Sequence, residues 1–277
     1  MQNDGRIIDV RYPLNWRSPL TRGLIAWWKI LPGASGGTTL RDIAGGHHGT
    51  LSSMDPATDW VDGVKGQHLT FDGTDDYVEI TTGESDFDLD YTDPWSIVAV
   101  VKSPDVAAWR SVFGKGQTAA DDYRGYAVQF RNDGTLTASL IYDYSTANRA
   151  ENWTSAAYDD DQWHHVVITY NGGGAATDFK FFVDGVTVAA NDAEVNTVTT
   201  SLNTNHNPRI GTSADDANPF NGEIAEVALY GRVLLADEVY ALYDEEQRGY
   251  PTMLRRLPRR TSFVPTAPAA RRVFIIS

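Results

Sequence analysis

The stretch Gln162-Trp163-His164-His165-Val166-Val167-Ile168-Thr169-Tyr170-Asn171-Gly172, followed by Phe179-Lys180-Phe181-Phe182-Val183-Asp184-Gly185, decides the fold class. It reads as a strand, a glycine-rich turn and a second strand closed by Asp-Gly. Period-two alternation sets Trp163, His165, Val167 and Thr169 on one face and His164, Val166, Ile168 and Tyr170 on the other. Both faces carry apolar bulk, so this strand is expected inside a sandwich, with Trp163 buried between the layers. Asp184-Gly185 supplies the positive-φ pair of a tight hairpin, and Val186-Thr187-Val188 is the returning strand.

Working outward, strand candidates fall at 24–30, 68–71, 76–81, 95–102, 110–114, 124–131, 135–142, 163–170, 178–184, 186–190, 208–211 and 222–230. Turn clusters such as Asn132-Asp133-Gly134 separate them. One helix is expected at 236–248, with an apolar stripe of Ala236, Val239, Leu242 and Tyr243 and stop signals at Gly249 and Pro251. Residues 1–22 read as an extended arm, because Pro13 and Pro19 oppose a helix, and Tyr12, Leu14, Trp16 and Leu20 are its apolar anchors. Residues 23–250 form one domain, and residues 251–277 an extended arm punctuated by Pro258, Pro265 and Pro268.

Composition narrows the functional classes. The 277 residues contain no cysteine, which removes disulfides, zinc thiolates and thiol catalysis together. The N-terminal residues lack the apolar core of a signal peptide, and no run approaches the roughly 18 apolar residues of a membrane span. The expectation is a protein made in the cytosol and kept off membranes. The net charge of −14 is unevenly spread: the last 27 residues hold Arg255, Arg256, Arg259, Arg260, Arg271 and Arg272 and no acid, so the other 250 carry all 37 acids. Such a body repels nucleic acid, while the arm is drawn to acidic surfaces, including a neighbouring copy of the body.

Four strings occur in an order that resembles the laminin-G-like domains of the concanavalin A-like lectin/glucanase superfamily. They are Gly23-Leu24-Ile25-Ala26-Trp27-Trp28 with Asp42 and His48-Gly49-Thr50-Leu51; Leu69-Thr70-Phe71-Asp72-Gly73-Thr74-Asp75-Asp76-Tyr77-Val78; the opening hairpin; and Phe220-Asn221-Gly222-Glu223-Ile224-Ala225-Glu226-Val227-Ala228-Leu229-Tyr230. The resemblance covers roughly residues 20–250. It implies an all-β, concanavalin A-like jelly-roll sandwich of two antiparallel sheets, with one short C-terminal helix and extended N- and C-terminal arms. Two positions depart from the family's pattern, which has Asp where Ala225 stands and a helix-capping Ser where Leu235 stands.

Hydrolysis, metal binding, glycan binding and attachment are the activities to weigh. Glucanases of this fold carry Glu-x-Asp-x-x-Glu on one strand, so that acid and nucleophile flank one bond. That pattern is missing, and Glu84-Ser85-Asp86-Phe87-Asp88 is the nearest approach. The resemblance implies a calcium ion at one rim, and the acidic loops nominate Asp121 or Asp122 with Asp215 or Asp216, since calcium takes several oxygens at about 2.3–2.6 Å. A lectin site needs exposed aromatics beside amide and carboxylate groups. Trp109, with Tyr142, Tyr144, Asn148, Asn152, Trp153 and Tyr158 in one long inter-strand loop, fits that description; packing of these aromatics onto the sheet edge fits equally. His47-His48 and His164-His165 read as hydrogen-bonded structural residues, and Asn152-Trp153-Thr154 as an accidental sequon.

The arms resemble those of laminin-G-like proteins encoded among tailed-phage structural genes, where such domains serve as capsid decoration or surface adhesion modules. This implies a non-enzymatic attachment protein on a virion surface, made in the host cytoplasm, that contacts shell subunits or further copies of itself through Trp16, the six arginines and the apolar end containing Phe274. The alternative is a free lectin or an accessory domain of a bacterial carbohydrate-active system.

Overall fold

The computed structural model describes residues 14–30, 37–105, 107–191 and 197–248. The strands, in chain order, are β1 (Leu24–Lys29), β2 (Thr39–Leu40), β3 (Gly49–Ser52), β4 (Trp60–Gly63), β5 (Gly66–Asp72), β6 (Tyr77–Ile80), β7 (Trp95–Lys102), β8 (Arg110–Gly116) and β9 (Gly125–Phe130). They continue as β10 (Thr135–Asp143), β11 (Asn148–Ala157), β12 (Trp163–Tyr170), β13 (Phe179–Val183), β14 (Val186–Val188), β15 (Ala190–Asn191), β16 (Pro208–Ile210) and β17 (Asn221–Tyr230), before the helix α1 (Ala236–Arg248). Two antiparallel sheets result. One runs β14-β13-β12-β7-β17-β5-β4 with β1 also on β17, and the other runs β15-β11-β10-β9-β8-β16-β6-β3-β2.

Aromatic packing fills the space between the sheets. Trp95 lies 5.6 Å from Tyr170, Trp28 stacks on Phe87 at 6.0 Å and Phe71 meets Phe220 edge-on at 5.9 Å. Each ring pair adds about 0.5–1.5 kcal/mol to the burial of its apolar area. A second cluster lies on the outer side of the eight-stranded sheet, where Val98, Val167, Phe182 and Ala228 meet Leu234, Val239 and Leu242 from α1 and its approach and Leu14 and Leu20 from the N-terminal segment. This explains the two apolar faces of β12. Val166, Ile168 and Tyr170 enter the inter-sheet core, and Val167 enters the outer cluster.

Several expectations need correction. Trp163 is only half-buried, because its face of β12 is the outer one, near the end of the strand; its ring packs edge-on to His68 at 5.2 Å. Ala236 is exposed, so the inward side of α1 is formed by Val239 and Leu242 with Tyr243 half-buried beside them. The segment around Pro19 forms a 3-10 turn, Pro19–Thr21, started by Ser18, whose hydroxyl accepts the Leu20 N–H at 3.4 Å. The stretch expected as a long inter-strand loop contains strand β11, whose inward positions, Ala150, Asn152 and Thr154, are small or polar and give little β signal.

Both departures from the family pattern have local answers. Ala225 occupies a bulge in β17, where pairing passes from β5 to β1, and is 6% exposed. Leu235 cannot cap α1, and Glu238 supplies the reciprocal half of the box by accepting the Leu235 N–H at 2.9 Å while it holds Arg232. The Asp184-Gly185 turn has φ of 50° and 79°, and the Tyr243 ring leaves only 2.8 Å for a Cβ at Gly185. Glycine is required there both for its conformation and for the space it leaves.

Three of the paired histidines have hydrogen-bonded rings, as expected; the fourth, His165, is buried with its Nδ1 unpartnered. His47 bridges Asp42 at 3.2 Å and Asp86 at 2.9 Å, while His48 Nδ1 accepts the Asp42 N–H at 3.1 Å. His164 bridges Asp184 at 2.9 Å and Asp160 at 3.1 Å, and the Asp184 hydrogen bond raises its pKa, with Asp160 adding to the effect. His165 faces the other way, packed against Tyr243, and burial pushes it down to about 4.

The two neighbours therefore titrate in opposite directions. Below the ordinary histidine value of about 6.5 the unfolded chain takes up a proton that folded His165 refuses, so its contribution to stability, on the order of 3 kcal/mol, is lost as pH falls from 6.5 towards 4. His164 behaves oppositely: its stabilisation is complete below 6.5 and fades as pH rises through its raised folded value. Imidazole NMR should show His165 neutral at pH 5 and His164 still charged above 6.5. Titration of His165 near 6.5 would show that it is not sealed beneath α1.

Candidate functional site

At one end of the nine-stranded sheet, three loops converge. The β8–β9 connection, residues 117–124, folds on itself: Tyr123 N–H donates to Thr118 O at 2.8 Å and Gln117 N–H to Arg124 O at 2.7 Å. This closure places Gln117, Asp122 and Tyr123 at φ of 65°, 54° and 62°. A bulky tyrosine in that region is a strained residue, and such strain, of order 1–3 kcal/mol each, gathers at binding and switch sites. The β10–β11 turn is tied to this loop, since Tyr144 N–H donates to Asp122 O at 3.1 Å and Ser145 Oγ donates to both Asp122 and Asp143. A hydrogen bond shared with Asp122 leads the causes that hold Asp143 down at about 2.

The result is an exposed aromatic pair beside a polar pocket. Tyr123 and Tyr144, 41% and 46% exposed, meet edge-on at 5.5 Å. The Arg149 guanidinium lies 3.7 Å from the Tyr144 ring centre, and that of Arg124 lies 4.4 Å from Tyr142. Next to them is a pocket of about 380 Å³ lined by Asp121, Arg124, Asn203, Thr204, Asn205 and His206. His206 is held to Asp121 at 2.7 Å.

The expected glycan residues divide between places. Tyr142, Tyr144 and Asn148 stand at this rim, Asn148 pinning the 199–200 backbone and side chain through Thr199 N and Thr200 Oγ1, each at 3.2 Å. Trp109 and Trp153 stand at the opposite end of the sheet, with Arg131 between them at 5.5 and 3.9 Å from their ring centres. Tyr158 packs against His164 at 5.5 Å. Asn152 turns inward, 2% exposed, and donates to Ala176 O at 3.0 Å, so it is out of reach of a ligand and of the glycosylation its sequon spells. Arg110, beside Trp109, is also interior, in a 2.9 Å ion pair with Asp159. Sequence reading missed Tyr123, Arg124, Arg149 and His206; the polar run Asn203-Thr204-Asn205-His206 was the available signal.

Each of the four carboxylates nominated for calcium has a partner of its own within the protein. Asp121 holds His206, Asp122 accepts from Ser145, Asp215 accepts Ala119 N–H at 3.1 Å and Asp216 pairs with Arg209 at 2.5 Å. Among the described residues, a group of three carboxylates close enough to share an ion is formed by Asp72, Asp75 and Asp76, with oxygens within 4.8 Å of one another. Burial, then the neighbouring carboxylates, pushes Asp76 up to about 6 against a hydrogen bond from the Asp72 backbone. Such crowded hard oxygens suit a divalent cation. Of the expected attachment residues, Trp16 is 59% exposed, while Arg255, Arg256, Arg259, Arg260, Arg271, Arg272 and Phe274 lie outside the described residues.

Comparison with curated protein sequences yields no match. Among solved structures, the CBM40 of Ruminococcus gnavus IT-sialidase bound to α2,3 sialyllactose is similar over 64% of this chain and 95% of its own, with 17% identity and a TM-score of 0.51. The binding domain of Paraclostridial Mosquitocidal Protein 1 matches over 82% of this chain and 53% of its own, at 14% identity and a TM-score of 0.58. A Trypanosoma rangeli sialidase mutant with trans-sialidase activity matches at 16% identity and a TM-score of 0.56, over 83% of this chain but only 34% of that enzyme. At such low identities this structural likeness establishes a shared fold alone. Residues 72–240, more than half of the chain, match a laminin-G family of the concanavalin A-like lectin/glucanases superfamily, and to that family this protein belongs.

Proposed function

We propose that this protein is a glycan-binding module whose site is the rim formed by Tyr123, Tyr144 and the Arg124–His206 pocket. The observation that carries the reading is the strained loop 117–124, which holds an exposed tyrosine pair beside amide, imidazole and guanidinium groups. Sugars offer apolar faces to aromatic rings and hydroxyls to such groups, and a pocket of this volume suits one or two sugar rings better than a buried cofactor. Binding without cleavage is favoured because Asp121 is the one carboxylate lining the pocket and it is engaged by His206, whereas glycoside hydrolysis generally employs two carboxylates. The resemblance to a CBM40 and to the binding domain of Paraclostridial Mosquitocidal Protein 1 agrees with this reading at the level of fold.

Calorimetric titration with an oligosaccharide library should yield at least one ligand. Tyr144→Ala should weaken it about tenfold or more, by loss of a stacking ring, with the thermal melt little changed. Ligands that bind Tyr123→Ala and Tyr144→Ala as well as the parent protein would move the site elsewhere.

We further propose that calcium, expected from the family resemblance, is held at Asp72, Asp75 and Asp76, where closely set carboxylates would be relieved by a cation. A ligand of the folded state raises its stability in proportion to the logarithm of concentration over Kd. Melting temperature should therefore rise in millimolar calcium relative to EDTA, and Asp75→Asn with Asp76→Asn should abolish the difference. Equal melts in the two buffers would remove the ion from this account.

The setting we propose is a phage-like virion surface, with attachment through the C-terminal arm. What supports it is the separation of charge along the chain between the arginine-rich residues 251–277 and the acidic body. Deleting residues 251–277 should leave a folded sandwich that no longer co-sediments with its particle. Normal co-sedimentation of the truncated protein would defeat this reading.

A further inference from the structure

Just before the rim loop 117–124, β8 turns a lysine inward. The Lys115 side chain is 3% exposed, in a recess walled by Phe87, Leu89, Tyr126 and Leu202, all of them residues of the inter-sheet core. Its ammonium meets two carboxylates from the segment that leads into β7. Nζ donates to Asp88 Oδ1 and to Glu84 O, the latter at 3.3 Å, and it touches Glu84 Oε1, which is buried and makes no hydrogen bond. The 3-10 turn Glu84–Phe87, with Asp88 as its C-cap, returns both acids to the one lysine. Tyr126 pins this turn by donating to Phe87 O at 3.1 Å. Burial, and after it the charges of Asp88 and Glu84, push the Tyr126 hydroxyl upward, so it stays protonated and keeps that bond.

One cation between two carboxylates leaves a surplus negative charge beside an aromatic core, where an unbalanced charge is costly. Lys102 provides the contrast. It also meets two carboxylates, Asp161 and Glu223, each at 3.3 Å, but its side chain is 25% exposed and that of Asp161 is 65% exposed, so water screens the group. Lys115 has no such access. Condensing it with Asp88 removes two charges at once and leaves Glu84 to accept the hydrogen bond of the new N–H.

The geometry points to an intramolecular amide between Lys115 Nζ and Asp88 Cγ, formed by the folded protein itself, with Glu84 as its proton relay. A proton first passes from the ammonium to a carboxylate, giving a neutral amine and a carboxylic acid. The Nζ lone pair then attacks Cγ of protonated Asp88, and the C–N bond forms. Glu84 takes the proton released by the nitrogen and returns it to the departing hydroxyl, so that the C–O bond breaks and one water leaves. Amine and acid become amide and water, with no oxidant, reductant or co-reactant. Fixing the two groups side by side replaces an encounter in solution with an effective concentration that reaches about 10⁵–10⁸ M for well-oriented partners. The carboxylates, 29% and 28% exposed, stand at the mouth of the recess, which gives the water its exit. The link joins the nine-stranded sheet to the approach to β7, and it restricts the unfolded chain as a disulfide does in proteins that have cysteine.

The test is the intact mass of the purified full chain under denaturing conditions. It should lie below the sequence mass by one water, and trypsin, which needs a free lysine side chain, should leave the 115–116 bond uncut in a peptide joined to residue 88. Asp88→Asn should form the same amide with loss of ammonia in place of water, whereas Asp88→Ala and Lys115→Met should keep their full mass. Glu84→Gln should form the link about a hundredfold more slowly or worse, with circular dichroism confirming the fold. Asp72-Gly73 and Asp184-Gly185 can also lose water by cyclising, so the loss must survive mild alkali, which reopens a succinimide and leaves an amide intact. A folded parent protein of full mass after incubation at neutral and mildly acidic pH, or a water loss reversed by alkali, would overturn the proposal. A link mapped to Glu84 would overturn the roles given to the two acids.

Discussion

Burial of β7 on both sides is the constraint on which the rest of the structure depends. Trp95 through Val101 are seven consecutive buried residues, with Trp95, Ile97, Ala99 and Val101 in the inter-sheet core and Val98 in the outer cluster. A strand of that kind cannot sit in a sheet wetted on one face. The nine-stranded sheet covers one side, and the other is covered by α1 and the segment carrying Leu14 and Leu20. Ser96 joins the cover to the strand: its hydroxyl donates to Arg232 O at 2.8 Å and accepts from Leu234 N–H at 2.9 Å, fixing the chain as it enters the helix. Without cysteines, this two-sided burial is what holds the domain together.

A rigid sheet also permits strain at its rim. Strands β8, β9, β10 and β11 are continuous neighbours, so the loops 117–124 and 143–148 leave and return at fixed points. Cross-loop bonds through Asp122, Tyr144 and Ser145 over-determine the left-handed residues and keep Tyr123 and Tyr144 turned outward. Side chains held this way lose little entropy on meeting a ligand, which suits a surface for weakly held, hydroxyl-rich molecules.

Charge is organised by distance and by pairing more than by total. Several cations of the body are matched by nearby carboxylates, as in Arg110–Asp159, Arg209–Glu79 and Arg232–Glu238, and these pairs tie loops to strands. On the outer face of β9–β11 the arginines are instead matched to aromatic rings. The same residue type therefore ties loops to strands in one setting and lies flat against an aromatic ring in the other, according to what lies beside it.

Much of the fold was legible in sequence because it depends on local chemistry. The β12–β13–β14 hairpins follow from alternation and from Asp184-Gly185, the helix from its apolar positions Val239 and Leu242, and the family from the ordered strings that fall within residues 72–240. Alternation shows that a strand has two faces, yet it cannot say what covers each; hence Trp163, placed in the core by pattern, lies on the outer face near a strand end. β11 escaped notice since its inward residues are small, and with it went the separation of the aromatic residues into two ends of one sheet. Acid-rich loops were visible, but only the folded chain shows that Asp121, Asp122, Asp215 and Asp216 each find a separate partner while Asp72, Asp75 and Asp76 meet. Composition and period thus determined the class of fold. Tertiary structure decided the site, because it is made of loops distant in sequence whose meeting depends on sheet register and on which charges are already paired.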